Sequence, residues 1–132
     1  MREDLMVQQQ VSNVWQHMVG VICLNQTNRR QVKAVLPKLF KKYPDAVTFL
    51  RGRKATQEKM LKSLGMLKVR LKRLRNMSVD FLSWDGKDAT DLYGIGKYGS
   101  DSYRLFYKNE IPDDVGDHEL KRYIKEEMKL NG

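Results

Sequence analysis

Hydrophobic residues recur at intervals of three and four along most of the chain, which is the spacing of one face of an α-helix. The first run predicts an amphipathic helix that starts near Val11 and ends near Leu24, and Asn25 to Asn28 breaks the pattern. Residues 1–10 are polar and predicted to be loosely held. The apolar face of this helix would consist of Val11, Val14, Trp15, Met18, Val19 and Ile22.

A second helix is predicted after the break. Thr27 can serve as its N-cap, and Pro37 inside it should kink or shorten it, because proline removes a backbone donor. Its buried stripe would be Val32, Val35, Leu36, Leu39 and Phe40.

Two shorter helices are predicted next. Asp45 can cap the first, which reaches Leu50. Thr56 lies near the start of the second, and Gly65 ends it in the position of a left-handed C-cap.

A longer helix follows, with an apolar side and a basic side. Its apolar side would be Leu67, Leu71, Leu74, Ser78 and Phe81 or Leu82, and Lys68, Arg70, Lys72, Arg73 and Arg75 would occupy the rest.

The last third of the chain predicts a pair of helices joined by a tight turn, and then a final helix. Asp88 can cap the first of the pair, Lys97 to Tyr107 forms the second, and Asp117 opens the final helix. No alternating pattern predicts a strand, and no internal repeat is present. The chain, residues 1–132, is therefore predicted to be a single all-helical domain.

Charge narrows the class of partner. The chain carries 25 Lys and Arg against 16 Asp and Glu, a net charge of +9. Between Asn28 and Arg75 the only acidic residues are Asp45 and Glu58. This distribution favours a polyanionic partner over a merely solvated surface.

Cysteine and hydropathy exclude other classes. Cys23 is the only cysteine, so an intramolecular disulfide and a cysteine cage for zinc or an iron–sulfur cluster are excluded. The longest apolar run, Met18 to Leu24, is far short of the roughly 20 residues of a membrane span. We expect a soluble intracellular protein with no cofactor and no metal. His17 and His118 are expected to be surface or capping residues.

The segment Gly94-Ile95-Gly96, followed by Lys97, is the first candidate for chemistry. Its glycines tolerate positive φ and leave backbone N–H groups exposed before a helix N-terminus, a geometry that can hold a DNA phosphate. An ordinary turn between two helices is the alternative. Leu92 and Ile95 would pack the hairpin onto the core.

Four segments together resemble the helix-hairpin-helix DNA glycosylase superfamily, and within it the glycosylase domain of the methyl-CpG-binding-domain thymine DNA glycosylases. They are residues 24–27, 64–66, 92–104 and 117–120, and the similarity covers about Trp15 to Tyr123. The resemblance implies an all-α, two-lobed fold with the active site in the cleft. It also implies a nuclear monomer acting on double-stranded DNA.

Asp117 is the catalytic residue by this resemblance. A carboxylate near C1′ of the sugar can stabilise the positive charge that develops when the N-glycosidic bond breaks, and can orient or deprotonate a water molecule. Pure helix capping is the alternative. Asp113 and Asp114 are weaker candidates because they lie in a loop.

Tyr98 decides the expected subclass. Bifunctional members carry a lysine at this place, which forms a Schiff base, whereas a phenol cannot. The resemblance therefore implies a monofunctional glycosylase whose nucleophile is water. It places Tyr98 and Asn25 in the base pocket. A half-buried helix aromatic is the alternative for Tyr98.

Gln26 and Met66 match the two positions that fill the gap left by a flipped nucleotide. The related thymine glycosylases carry arginine and leucine there, so opposite-base preference does not transfer. Ordinary loop and core residues are the alternative. A further base-recognising glutamine of those relatives has no unique counterpart here, and Gln8, Gln9 and Gln10 are the candidates.

The sequence thus predicts a glycosylase of base excision repair that removes thymine or uracil mispaired with guanine. A glycosylase for another damaged base, or a helix-hairpin-helix DNA-binding module without catalysis, remains open.

Overall fold

The computed structural model describes residues 11–128, all of whose regular elements are helical, as predicted. The predicted loose segment 1–10 and the three candidate glutamines lie outside these residues. Short 3₁₀ turns lie at Lys62–Leu64 and at Ala89–Asp91, before the hairpin, and a π-helical turn spans Ile124–Met128. The helices are α1 Val14–Leu24, α2 Arg29–Lys42, α3 Ala46–Arg51, α4 Lys54–Leu61, α5 Leu67–Ser83, α6 Lys97–Tyr107 and α7 His118–Tyr123.

Helix α1 is the centre of the fold. It packs against α2, α5 and α6, and every residue from Trp15 to Cys23 is buried. The prediction of an amphipathic helix was therefore wrong for α1, because three helices surround it and leave no face for water. The side chain of Asn13 accepts a hydrogen bond from Gln16 N and sets its start.

Helix α2 starts and continues differently from the prediction. Asn28, rather than Thr27, caps it by accepting from Arg30 N. Pro37 lies inside α2 and does not end it, because the helix runs on to Lys42.

Helix α3 has its predicted cap, whereas α4 begins two residues before its predicted start. Asp45 caps α3 by accepting from Thr48 N at 2.9 Å, and α4 begins at Lys54, before Thr56. Gly65 ends the 3₁₀ turn after α4 with φ of +74°, which is the left-handed region that glycine adopts without steric cost.

Helix α5 corrects the prediction that Arg70 lies with the other basic residues away from the buried side of the helix. Arg70 is only 3% exposed. The guanidinium of Arg75 donates to Gln57 Oε1 and to Leu50 O, each at 2.9 Å. The planar fork of arginine donors can satisfy backbone carbonyls inside a protein, so a basic residue type does not by itself predict exposure. Leu71, Leu74 and Ser78 are buried as predicted, whereas Leu82 is 55% exposed.

Two hydrophobic clusters give the predicted two lobes. The larger contains α1 to α5 and the hairpin, with Trp15 packed against Phe40 and Phe49. The smaller is built on Leu105 from α6, Leu120 from α7 and Ile124 from the π-helical turn that extends α7. Tyr98 contacts both clusters and so lies where the lobes meet.

The hairpin is shorter on its first side than predicted. Asp88 caps by accepting from Thr90 N, but the element that it caps is the single 3₁₀ turn. Gly94 has φ of +81°, and Leu92 and Ile95 are buried against the core. Helix α6 begins at Lys97 as predicted.

Candidate functional site

A cleft of about 680 Å³ lies between the two lobes. The end of α1, the start of α2, the hairpin with the start of α6, and the start of α7 form its walls. It brings together most of the predicted site residues from distant parts of the chain. Asn25, Gln26, Gly94, Gly96, Lys97, Tyr98 and Asp117 line it, whereas Met66 and Ile95 do not.

Asp117 is half-buried at the edge of the cleft. Its Oδ2 accepts from Leu120 N at 3.0 Å and so caps α7. A carboxylate has two oxygens and several lone pairs, so capping is compatible with a role in the cleft. Asp113 and Asp114 are exposed and do not line the cleft.

Tyr98 is half-buried in the first turn of α6. Lys97 precedes it, and Lys97 Nζ forms an ion pair of 2.7 Å with Asp101 Oδ2, whose side chain is largely buried. The Lys97 ammonium is thereby directed along its own helix.

Gly96 and Gly94 form the rim that would hold a phosphate. Gly96 is the N-cap of α6. In the described part of the chain no side chain caps this helix, and no atom beyond the chain neighbours of Gly96 lies within 4 Å of a Cβ added there. The positive end of the helix dipole is therefore open.

The prediction that Ile95 contributes to phosphate binding is wrong for its backbone amide. The Ile95 N–H donates to Leu92 O at 3.1 Å and is not available to a phosphate. Ile95 instead anchors the hairpin through its buried side chain. The proposed phosphate contacts are reduced to Gly94, Gly96 and the Lys97 backbone.

Gly99 was missed from the sequence although it shapes the cleft. A Cβ at this position would lie 2.6 Å from Ile95 Cγ2 and 3.1 Å from Val21 Cγ1. Only glycine lets the first turn of α6 approach the hairpin and α1 this closely. Gly99 lies inside α6 and not in the hairpin turn with Gly94 and Gly96. Its place in the sequence therefore did not indicate that it lines the cleft.

Gln26 and Met66 are exposed residues with left-handed backbones. Their φ angles are 57° and 47°, a conformation that costs a non-glycine residue about 1 kcal/mol. Met66 is 49% exposed, so the alternative of an ordinary core residue is wrong. Asn25 lies beside Gln26 and is likewise exposed.

An ion pair that the sequence did not predict joins the two walls of the cleft. Arg29 Nη1 at the start of α2 lies 3.0 Å from Glu119 Oε2 on α7. Arg122 Nη2 lies 3.2 Å from the same oxygen. Long separation along the chain hides this contact, which fixes the helix that Asp117 caps.

His17 corrects the prediction of a surface or capping histidine. It is fully buried in α1, and its Nε2 lies 2.8 Å from Ser102 Oγ on α6. Burial lowers the pKa of His17 from 6.5 to about 3, so the ring is neutral. Among residues 11–128 its Nδ1 has no hydrogen-bond partner. This favours the tautomer with the proton on Nε2, because a bare acceptor costs less than a bare N–H.

Burial raises the pKa of the Cys23 thiol to about 12, so this residue is an inert part of the core. Within residues 11–128 no group of three or more His, Cys, Asp or Glu side chains is placed to hold a metal ion. No helix in that part of the chain has the length and apolar character of a membrane span.

Comparison with known proteins agrees with this geometry. A Methyl-CpG-binding domain protein 4-like protein from Arabidopsis thaliana is 33% identical over 92 residues, which cover 70% of this chain. The chain belongs to the helix-hairpin-helix DNA glycosylase superfamily. A search of family models found no match.

Solved structures show the superfamily fold at lower identity. A thermostable thymine-DNA glycosylase superposes with a TM-score of 0.73 and 19% identity, covering 80% of this chain and 52% of that one. Endonuclease III in a non-covalent DNA complex gives a TM-score of 0.72 and 14% identity, covering 85% and 56%. The chain spans 21% of the Arabidopsis relative and about half of these solved structures.

Proposed function

We propose that this chain is a monofunctional DNA N-glycosylase that removes thymine or uracil mispaired with guanine in base excision repair. The observation that carries the proposal is the cleft in which Asp117 lies with Tyr98, Asn25 and Gln26. A carboxylate, an aromatic ring, an amide and a strained exposed glutamine meet there from three separate segments. The Arabidopsis relative and the thermostable thymine-DNA glycosylase support the same class of activity.

Asp117 is the proposed catalytic residue. As the bond between C1′ and the base nitrogen breaks, the bonding electrons leave with the base and positive charge develops on the sugar. The Asp117 carboxylate stabilises that charge, most strongly where water is excluded. Water then bonds to C1′ and gives a proton to the carboxylate. The departed base anion takes up a proton, which leaves a free base and an abasic site.

Tyr98 and Asn25 are proposed to contact the extruded base. The cleft volume of about 680 Å³ falls within the range of small-molecule pockets and can admit a nucleotide. The phenol ring offers a stacking face and the Asn25 amide offers both a donor and acceptors for a pyrimidine edge. Because Tyr98 has no amine, no Schiff base forms and the strand stays uncut.

Gln26 and Met66 are proposed to fill the space of the flipped nucleotide, while the Gly94 to Lys97 rim holds a backbone phosphate. These contacts do not read sequence, so selection falls on bases that leave the stack easily, as mispaired ones do. We propose that the protein acts as a monomer on nuclear DNA.

A panel of duplexes, each with one altered base, tests the proposal. Alkali should cleave the G·T and G·U duplexes at the altered base after incubation with the protein, and should leave matched duplexes intact. Cleavage confined to a duplex with a different altered base would show that this base, rather than thymine or uracil, is the substrate. Tight binding without cleavage of any duplex would favour the non-catalytic module.

A further inference from the structure

Arg70 is a buried cation that holds the two loops carrying Gln26 and Met66. It lies in the first turn of α5 and is 3% exposed. Its Nη1 donates to Cys23 O at 2.9 Å and to Asn25 O at 3.1 Å, at the end of α1. Its Nε donates to Gly65 O at 3.2 Å, in the loop before α5.

These contacts fall directly beside the two strained residues. Asn25 and Thr27 flank Gln26, and Nη2 of Arg70 donates to Thr27 Oγ1 as well as to Leu64 O. Gly65 precedes Met66. One rigid planar group therefore binds the backbone before Gln26, the Thr27 side chain after it, and the backbone immediately before Met66.

Backbone carbonyls at the end of α1, rather than a carboxylate, compensate the buried positive charge of Arg70. Within residues 11–128 no ion pair joins Arg70 to an acidic side chain. Its partners include Ile22 O and Cys23 O in the last turn of α1, where orphan carbonyls and the helix dipole favour a cation. Lysine has the charge but lacks the fork of donors that reaches both loops at once.

We propose that Arg70 is a positioning residue that couples the Gln26 and Met66 loops, so that both side chains enter DNA in fixed register. The inference rests on the proposed function, because it assigns both residues to filling the flipped nucleotide's space. Left-handed backbone at a non-glycine residue persists only where its surroundings over-determine it, and Arg70 supplies that constraint.

Arg75 offers a matched control on the same helix. It also donates to backbone carbonyls and a side chain, but its partners are Leu50 O and Gln57 Oε1, away from both loops. Arg70→Gln and Arg75→Gln should both lower the melting temperature. Only Arg70→Gln should change how the protein opens DNA.

The experiment measures base flipping directly, with 2-aminopurine next to the mispaired thymine of a G·T duplex. Asp117→Asn serves as the background, so that no base is removed. At saturating protein, adding Arg70→Gln should lower the flipping equilibrium on the order of tenfold, given the sensitivity of such sites to misplacements of about 1 Å. Adding Arg75→Gln should leave the fluorescence increase within about twofold. If glutamine at either position prevents folding, Arg70→Lys and Arg75→Lys form the milder pair with the same expected contrast.

Arg70 acts through the two loops only if its effect disappears when they are truncated. In a Gln26→Ala/Met66→Ala background, Arg70→Gln should therefore cause no further loss of fluorescence. Equal losses from the Arg70 and Arg75 variants, an additive loss in the truncated background, or no fluorescence increase with Asp117→Asn alone would overturn the inference.

Base excision is measured in parallel with Asp117 intact, for the unmodified protein and for the Arg70 and Arg75 variants. If no base is released from any duplex, the proposed function fails, while the fluorescence arm still decides the role of Arg70. Normal excision with equal effects of the Arg70 and Arg75 variants would refute the Arg70 inference alone.

Discussion

His17 Nε2 and Ser102 Oγ lie 2.8 Å apart in the buried contact between α1 and α6. Helix α1 leads into Asn25 and Gln26, and α6 begins with Lys97 and Tyr98, so this contact fixes two walls of the cleft relative to each other. His17 also has aromatic neighbours, with its ring centroid 5.0 Å from that of Tyr107. A charged imidazolium in this place would be poorly solvated.

Acid should therefore destabilise the fold through His17. Its folded-state pKa is lowered to about 3 from 6.5, so below pH 6.5 the unfolded chain binds a proton that the folded chain excludes. The free energy of unfolding should fall by about 1.4 kcal/mol for each pH unit from about 6.5 down towards 3. Urea unfolding at several pH values measures this slope.

His17→Gln should remove this part of the slope. His118→Gln is the matched control, because it removes an exposed histidine on α7 and keeps His17 in place. A slope that survives His17→Gln would mean that other groups cause the acid sensitivity.

Borohydride should fail to trap the protein on DNA. Tyr98 cannot form an imine, and the Lys97 ammonium is paired with Asp101. Denaturing gels of the protein with a G·U duplex and borohydride should show no shifted band, with endonuclease III as the positive control. A trapped band would identify an amine nucleophile, and its loss in Lys97→Gln would locate it.

DNA binding should weaken steeply with salt. Exposed basic residues between Asn28 and Arg75 would displace condensed counterions. Arg70 is buried, and the Arg75 guanidinium is half-buried and donates to Leu50 O and Gln57 Oε1, so both are excluded from this set. If Arg30 contacts one phosphate, Arg30→Ala should reduce the slope of log K against log salt by about 0.9.

Lys87→Ala is the control for this measurement, because the backbone N–H of Lys87 donates to Asp85, which lines a groove together with Asp80 and Asp91. The slope of log K against log salt for Lys87→Ala should match that of the unmodified protein. A flat salt dependence of the unmodified protein would place the basic surface elsewhere than on phosphates.

Truncation of Gln26 and Met66 to alanine should affect duplex substrates selectively. Holding a nucleotide out of the helix costs a few kcal/mol, and a single strand needs no unpairing. Single-turnover excision from a G·U duplex should fall far more than excision of uracil from a single strand. Equal losses on both substrates together with a lower melting temperature would mark them as structural residues.

The sequence predicted the parts of the fold that local chemistry controls. The caps at Asp45, Asp88 and Asp117, the left-handed Gly65 and the start of α6 depend on residues a few positions apart. The helices and the two-lobed arrangement followed from periodicity and from the family resemblance.

Features that depend on long-range packing could not be read in the same way. Burial of α1 on every side, of His17 and of Arg70 arises from helices that meet only in the folded chain. The Arg29 to Glu119 ion pair joins residues 90 positions apart. The amide of Ile95 was misassigned because a turn hydrogen bond to Leu92 O, invisible in the sequence, already uses it.

The proposed catalysis depends above all on the negative charge of Asp117. Asp117→Asn keeps an N-cap side chain, because asparagine caps helices as well as aspartate does, but removes the negative charge beside the sugar. The variant should fold with an unchanged melting temperature and bind the G·T duplex. Asp113→Asn, in the exposed loop, is the matched control and should retain full activity.

The measurement is the single-turnover rate of base release from G·T and G·U duplexes by the unmodified protein, Asp117→Asn and Asp113→Asn. We predict that Asp117→Asn alone loses excision, on the order of 100-fold or more. An Asp117→Asn rate close to that of the unmodified protein would contradict the assignment of Asp117 as the catalytic residue.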